Sequence, residues 1–361
     1  MRAVEGLVIA VLVILCSGCS GKLSGGKLQD QDSLVLRYHA SVGAEEGPLA
    51  FGQIGPLAAN DSLLAIADRQ ACDITFYDTR KELFVNRVGG CGNGPAEFDR
   101  VGGMVWHGDS LFVLEFTRRQ IVVIDVAGEE LRRMRVDTGP YALMMQHIAF
   151  VNDTSLLISL GLMSSVRVSA DMGDTAHLFL ALVDARTGKL RRRFYKDPDP
   201  ISLRNQASYL RLLVACAPGG ARRGTIATLS GWAFRGEIFD VADIHHSVRY
   251  TTPIKGHKPV KVAPGAWFQF GYPSIGCGRD VVLIKWIEPE RSETSRRGVG
   301  GHLEVRDYDG KLLMQRNLTR ADSAMFGSTR AAIGNRFFFV LNGMLGFPVV
   351  SEYRLERNGR N

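Results

Sequence analysis

Short runs of apolar residues, each bounded by Gly, Asn or Asp, recur along most of the chain. Examples are Leu63–Ile66, Leu111–Leu114 and Ile121–Ile124. Runs of about four to six residues between turn residues are typical of β-strands and too short for helices. Dipeptides such as Asn60-Asp61 and Gly108-Asp109 stand directly before such runs and supply the tight turns between them. The pattern therefore predicts an all-β protein.

The strand pattern repeats along the chain. Gly47-Pro48 is followed 47 residues later by Gly94-Pro95, and Gly139-Pro140 comes 45 residues after that. Within the first two copies, equivalent positions keep the same spacing of 47 residues: Asp68 and Glu115, Ile74 and Ile121, Asp78 and Asp125. A unit of this size holds about four short strands, which is typical of one blade of a β-propeller.

Later copies are less regular but keep paired strand-like segments. They include Gly224–Ala227 with Glu237–Phe239, Arg279–Ile284 with Leu303–Arg306, and Gly334–Val340 with Ser351–Arg354. We count six units and predict a six-bladed β-propeller of four-stranded antiparallel blades over residues 33–357. Ser33–Tyr38 and Val349–Leu355 are lone strands at the two termini, and their pairing would complete one blade. A β-sandwich or two separate domains is the alternative.

Three segments of the second unit resemble the bacterial six-bladed β-propeller lipoproteins close to the NHL-type repeat family. The segments are Gly92–Phe98, Leu111–Glu115 and Arg119–Gly128. Ala96 replaces a glycine common in that family, and Glu115 replaces its usual Asp. The resemblance implies a propeller fold. The resemblance is also compatible with an enzymatic function, since some six-bladed propellers are calcium-dependent hydrolases or zinc-dependent lyases. Those enzymes place acids, Asn or His around the channel.

The amino terminus has the features of an export signal. Arg2 is followed by an apolar run, Leu7–Leu15, that is too short to cross a bilayer. Ser17-Gly18-Cys19 resembles the bacterial lipobox, although Cys16 stands where Leu is usual. We predict a signal peptide over 1–18, lipidation of Cys19 and a flexible tether over 19–32. Ordinary signal cleavage without lipidation is the alternative.

The composition is that of a folded, basic protein. The 361 residues include 40 Gly, which favours many turns, and carry a formal charge of +7. Much of the positive charge lies in short arginine clusters, such as Arg132-Arg133 and Arg191–Arg193. No nucleic-acid-binding motif accompanies them, so we expect solvated strand edges, where charge also prevents edge-to-edge aggregation, and no nucleic-acid partner.

Four cysteines remain after Cys16 and Cys19: Cys72, Cys91, Cys216 and Cys277. Their spacing does not match a zinc site, and an exported protein is exposed to oxidising conditions. Cys72 and Cys91 flank a predicted hairpin, so we predict a disulfide between them. A Cys216–Cys277 bond would join separate blades and is left open.

Few residues suggest specific chemistry. Trp267, Phe270 and Tyr272 alternate along one predicted strand and are candidates for stacking against a ligand at the channel mouth, with packing between blades as the alternative. The neighbouring His245 and His246 would point to opposite faces of a strand, so we expect no metal site. Asp68 and Glu115 are expected to accept backbone hydrogen bonds within their own blades. We predict no catalytic residues and no cofactor.

These observations predict a cell-envelope lipoprotein, exported by the secretory pathway and held at the membrane by a lipid on Cys19. Its propeller would bind a small molecule, a glycan or an envelope protein without catalysis, as a monomer. The competing interpretation is a metal-dependent propeller hydrolase or lyase acting on a small molecule.

Overall fold

The computed structural model describes residues 34–137, 143–162, 178–196, 213–216, 223–230, 233–240, 247–253, 271–288, 300–318, 328–341 and 347–357. In these ranges the chain forms 24 β-strands. Over the same ranges, no helix is long and apolar enough to cross a membrane. The predicted signal peptide, the tether and Cys19 lie outside the described residues.

Each of the first three sheets consists of four strands that are consecutive in the chain. The first sheet contains β2 (Ile54–Ala59), β3 (Leu63–Asp68), β4 (Asp73–Asp78) and β5 (Leu83–Gly89). The second contains β6 (Val101–His107), β7 (Ser110–Glu115), β8 (Gln120–Ile124) and β9 (Glu130–Arg135). The third contains β10 (Leu143–Asn152), β11 (Ser155–Leu162), β12 (Leu178–Asp184) and β13 (Leu190–Lys196).

Three more sheets follow, and the last of them uses both ends of the described chain. The fourth sheet contains β14 (Leu213–Cys216), β15 (Arg223–Ser230), β16 (Ala233–Asp240) and β17 (Ser247–Pro253). The fifth contains β18 (Gly271–Cys277), β19 (Val281–Glu288), β20 (Gly300–Asp307) and β21 (Leu312–Leu318). The sixth contains β22 (Ser328–Ile333), β23 (Arg336–Leu341), β24 (Val349–Arg357) and β1 (Leu34–Val42).

The sheets form a β-propeller with four-stranded antiparallel blades, as the repeats predict. The first strand of each sheet contacts the first strand of the next, and β22 contacts β2, so the ring closes. The predicted pairing of the two terminal strands is confirmed: β1 is antiparallel to β24, with Leu34 opposite Arg357 and Val42 opposite Val350. This pairing gives both strands a neighbour and fixes the two ends of the propeller to each other.

Apolar side chains fill the spaces between neighbouring sheets. In β7, Leu111 and Val113 pack towards the first sheet, whereas Phe112 and Leu114 pack towards the third. All four side chains are at most 3% exposed. Both faces of the strand are therefore apolar, which explains why the sequence shows continuous apolar runs instead of alternation between apolar and polar residues. Similar clusters join the fifth sheet to the sixth and the sixth to the first.

Candidate functional site

The two ends of the propeller are built differently. At one end, the connection from one sheet to the next lies beside the turn between the second and third strands; we call this the loop end. This end contains the connections 43–53 and 89–100 and the turns 69–72 and 116–119. Hydrogen bonds join each connection to the turn beside it, from Arg69 N to Gln53 O at 2.8 Å and from Phe116 N to Arg100 O at 2.9 Å. At the opposite end, which we call the turn end, the described part of the chain forms short turns within sheets, for example with Thr79 N bonded to Ser62 O at 2.7 Å.

Asp68 organises the loop end of the first sheet. Its carboxylate stands at the last position of β3 and is 2% exposed. Oδ2 accepts a hydrogen bond from Gly52 N at 2.6 Å, and Oδ1 accepts from Gln53 N at 3.1 Å. Oδ1 also accepts from Gln70 N at 2.9 Å and Ala71 N at 3.3 Å. One carboxylate thus holds both the connection entering the sheet and the turn leaving β3.

Glu115 does the same in the second sheet, 47 residues later. Its side chain is fully buried at the end of β7, and Oε1 accepts from Asp99 N at 2.8 Å. Arg118 Nη1 donates to the same oxygen at 3.2 Å, and Gln120 Nε2 donates to Oε2. The prediction that these two acids accept hydrogen bonds within their own blades is confirmed. Both acids are engaged in holding loops.

Two arginines of the outermost strands reinforce these links, which the sequence alone did not reveal. Arg87 of β5 donates from Nη2 to Ala50 O at 2.9 Å, and its Nε lies 3.1 Å from Asp73 Oδ2. Burial raises the pKa of Asp73, although the Arg87 charge acts in the opposite direction. Arg133 of β9 repeats the contact one blade later, donating from Nη2 to Glu97 O at 3.4 Å. The signal available in the sequence was the spacing of 46 residues between the two arginines.

Arg133 also holds Glu130, and this pair fixes the connection between the first two sheets. Arg133 Nη2 donates to Glu130 Oε2 at 2.8 Å, and Ala96 N donates to the same oxygen at 2.8 Å. The hydrogen bond from Arg133 lowers the pKa of the Glu130 carboxyl, while the same bond raises the pKa of Arg133. The arginines of β9 were expected to be solvated edge residues; Arg133 is instead part of the loop structure.

A disulfide joins the turn after β3 to the connection after β5. Cys72 and Cys91 are bonded, with their Cα atoms 4.9 Å apart. Gly90 N also donates to Cys72 O at 3.1 Å. Together with Asp68, this bond holds the first blade's loop end at two points. Cys277 is buried in β18, and the Cys216 side chain lies outside the described residues, so their pairing stays a prediction.

Cationic and aromatic side chains are presented on this rigid frame. Arg100 is exposed, and its guanidinium carbon lies 5.2 Å from the centre of the Phe116 ring. Arg118 is partly exposed and donates from Nη2 to Gly92 O at 2.7 Å. Both arginines stand at the loop end of the second sheet, where the backbone is held by Glu115. This surface can attract an anionic group and hold it with charge-assisted hydrogen bonds.

The strands that line the channel share an irregularity near the loop end. Five of the six first strands carry one extra residue relative to the second strand. The bulges fall at Gly55–Pro56, Gly102, Gln146, Tyr272–Pro273 and Arg330. Such bulges recur next to binding sites because they interrupt the ladder and change the direction of a side chain. The pattern marks the channel mouth at the loop end as the candidate site.

The predicted stacking residues fall only partly within the described structure. Tyr272 belongs to the bulge of β18, but its side chain lies outside the described part, as do Trp267 and Phe270. The stacking wall therefore stays a prediction. His245 and His246 also lie outside. Among the described residues, no three His, Cys, Asp or Glu side chains are grouped so as to hold a metal ion.

Comparisons with known proteins connect this chain to others by fold. No protein-family model and no curated protein matches the sequence. Among solved structures, a DUF4221 family member from Bacteroides vulgatus is similar, with a TM-score of 0.63, 14% identity, and coverage of 91% of this chain and 100% of that one. A predicted exported protein from Bacteroides fragilis has a TM-score of 0.58 at 10% identity, with 92% and 98% covered.

A third similar structure is an enzyme. The PQQ-bound aldose sugar dehydrogenase from Streptomyces coelicolor has a TM-score of 0.51 at 12% identity, covering 90% of this chain and 99% of that one. At such identities the similarity shows a shared fold, and one fold carries many functions. The chain is therefore a β-propeller whose structural neighbours include bacterial proteins, one of them a predicted exported protein.

Proposed function

We propose that this protein is an exported, lipid-anchored, six-bladed β-propeller of NHL-like type that binds a ligand at its loop end, without catalysis. The observation that carries the proposal is the fixed arrangement of that end in the first two sheets. Buried Asp68 and Glu115 hold the connections, and the Cys72–Cys91 bond holds the turn. A preorganised surface loses little conformational entropy when a ligand binds, so it suits binding.

The exposed charge at this end defines the ligand class. Arg100 is exposed at the loop end of the second sheet beside the aromatic ring of Phe116, and the partly exposed Arg118, which is paired with Glu115, stands next to it. A small molecule, glycan or envelope protein that carries a carboxylate or phosphate group meets these requirements. The export signal predicted over 1–18 supports a location in the cell envelope, with Cys19 as the anchoring residue. We propose that the protein acts there as a monomer.

Ligand binding can be tested with a set of acidic sugars, phosphorylated metabolites and acidic peptides, using the shift in melting temperature of the purified protein. Arg100→Ala should weaken binding of any ligand found by roughly tenfold or more, since a charge-assisted hydrogen bond is lost. Arg80→Ala, at the turn end, is the matched control and should bind normally. Binding that is insensitive to Arg100 would contradict the proposed site.

Two further measurements address the anchor and the enzymatic alternative. Cys19→Ala should abolish palmitate labelling and release the protein from the membrane fraction, whereas Cys16→Ala should not. Labelling that persists in the Cys19 variant would refute the lipid anchor. Elemental analysis of the purified protein addresses catalysis: stoichiometric calcium or zinc together with turnover of lactones or esters would establish the hydrolase or lyase instead.

A further inference from the structure

Exposed apolar side chains are concentrated on two neighbouring outer strands. Leu83, Phe84 and Val85 of β5 are 58%, 38% and 42% exposed, and Leu131 of β9 is 52% exposed. We call these four residues the rim patch. Among the described residues, the large exposed hydrophobic side chains are these four and Tyr38. Isolated exposed apolar residues are ordinary on a protein surface, but a run of three with a fourth on the next blade is not.

The rim patch lies at the turn end of the propeller. Leu83 begins β5 directly after the turn that contains Thr79, and Leu131 is the second residue of β9, which also follows a third-to-fourth turn. β5 adjoins the turn between β8 and β9 there, because Asn86 Nδ2 donates to Val126 O at 3.3 Å and to Ala127 O at 3.1 Å. The four exposed side chains therefore lie at the same end, on neighbouring blades.

The backbone of these strands disfavours a further β-strand as the partner. Val85 is an extra residue in the β4–β5 pairing, and Leu131 is an extra residue in the β8–β9 pairing. A bulge in an edge strand twists and interrupts the row of free N–H and C=O groups that an added strand needs. A partner that contacts the side chains without extending the sheet fits this surface better.

The chain preceding β1 enters the propeller at this same end. Leu355, near the end of β24, donates from its N to Asn335 O in the turn between β22 and β23, and Leu34 pairs beside it with Arg357. His39 Nε2 of β1 lies 4.0 Å from Glu82 Oε1, in the turn before Leu83. The start of the described chain is thus at the turn end, on the blade next to β5.

We propose that the rim patch rests on the surface of a phospholipid membrane. The proposal adds to the lipid anchor of the proposed function: residues 20–33 connect Cys19 to β1, and β1 starts at the turn end, so the tether joins the propeller at the end that carries the patch. Exposed Arg80 and Lys81 precede the patch and can contact lipid phosphates, while exposed Glu82 offsets part of their charge. Insertion of the apolar side chains into the interface is therefore the main attraction.

The test uses the chain without its signal peptide and with Cys19→Ser, so that no lipid is attached. Co-sedimentation with vesicles of phosphatidylethanolamine and phosphatidylglycerol should show binding. Leu83→Asp and Leu131→Asp should each weaken it roughly tenfold or more, because burial of one such side chain is worth at least that factor. Tyr38→Ala, an exposed aromatic of β1 outside the patch, should bind vesicles as the parent does.

Unchanged melting temperatures would show that the variants are folded. Failure of the parent protein to bind these vesicles, or binding unaffected by both substitutions, would overturn the proposal. Self-association that depends on Leu83, seen by analytical ultracentrifugation, would assign the patch to a second copy of the chain and also overturn it. Ligand binding through Arg100 and palmitate labelling of Cys19 are measured separately, so failure here is distinguishable from failure of the proposed function.

Discussion

Replacement of Asp68 tests whether one buried carboxylate holds the loop end. Asp68→Ala leaves four backbone N–H groups without their acceptor, including those of Gly52 and Gln53 at 2.6 and 3.1 Å. A hydrogen bond to a charged group contributes about 1.5–3 kcal/mol, but the contributions do not add, since loops rearrange and water enters. Breaking a buried charged network typically costs about 3–5 kcal/mol, and we expect a loss in this range.

The assay is thermal and urea unfolding followed by circular dichroism. For a unit of the length of Ser33–Asn361, a loss of 3–5 kcal/mol corresponds to a decrease in melting temperature of roughly 4–7 °C. Asp61→Ala is the matched control, because Asp61 is exposed at the turn end of the same sheet; its effect should stay within about 0.5 kcal/mol.

Asp68→Asn makes the test more specific. The amide oxygen can replace Oδ1 as the acceptor for Gln53, Gln70 and Ala71, but an NH2 group in the Oδ2 position would face the Gly52 N–H. We therefore expect a loss intermediate between those of Asp61→Ala and Asp68→Ala. If Asp68→Ala unfolds at the same temperature as Asp61→Ala, the carboxylate does not hold the loop end and the reasoning is wrong.

Three further predictions follow from the same structure. Replacing both Cys72 and Cys91 with Ser should cost about 3 kcal/mol and make the melting temperature independent of reductant, because the bond closes a loop of 19 residues. Burial raises the pKa of Glu352, but Arg336 and Arg354 outweigh it and hold the pKa below its ordinary 4.5. The ionised Glu352 carboxylate therefore stabilises the folded protein above pH 4.5, and this stabilisation is lost as the pH falls through the folded pKa. The melting-temperature difference between the parent and Glu352→Gln should shrink in acid accordingly. Burial lowers the pKa of Lys285 from 10.5 to about 8, so its charged form destabilises the fold below that pH. The melting temperature of the parent should therefore rise relative to that of Lys285→Met as the pH increases from about 7 to about 10; a difference independent of pH would contradict this.

The sequence was sufficient to predict the parts of the fold that depend on local patterns. The spacing of 47 residues correctly aligned Asp68 with Glu115 and β4 with β8, because each pair occupies the same step of the same supersecondary unit. The terminal strands were assigned to one blade because neither had a partner in its own neighbourhood. The hairpin between Cys72 and Cys91 similarly limited where the two thiols could lie.

The bulges and arginine contacts could not be predicted in the same way. Gly102 and Val85 are extra residues in their strands, yet neither changes the apolar character of the run in which it stands. A bulge adds one residue to one strand only, so its effect appears in the pairing and not in the composition. Arg191 is exposed, as the cluster predicted, but its contacts could not be predicted from the sequence: its Nη1 donates to Ser155 Oγ at 2.8 Å, and it pairs with Asp184.

The two units in which the repeat is sharpest share a buried acid at the end of the second strand. β3 and β7 end in Asp68 and Glu115, and β19 ends in Glu288, whereas β11 ends in Leu162 and β15 in Ser230. In the first two sheets the acid accepts N–H groups of the incoming connection, from Gly52 and Gln53 and from Asp99, so that connection must keep the length and course that bring these groups to the carboxylate. The Gly-Pro turn itself does not depend on the acid, because Gly139-Pro140 precedes the third sheet, whose β11 ends in Leu162. The first two sheets therefore keep a shared loop frame, while the third and fourth are free to diverge at the end of the propeller where ligands would bind.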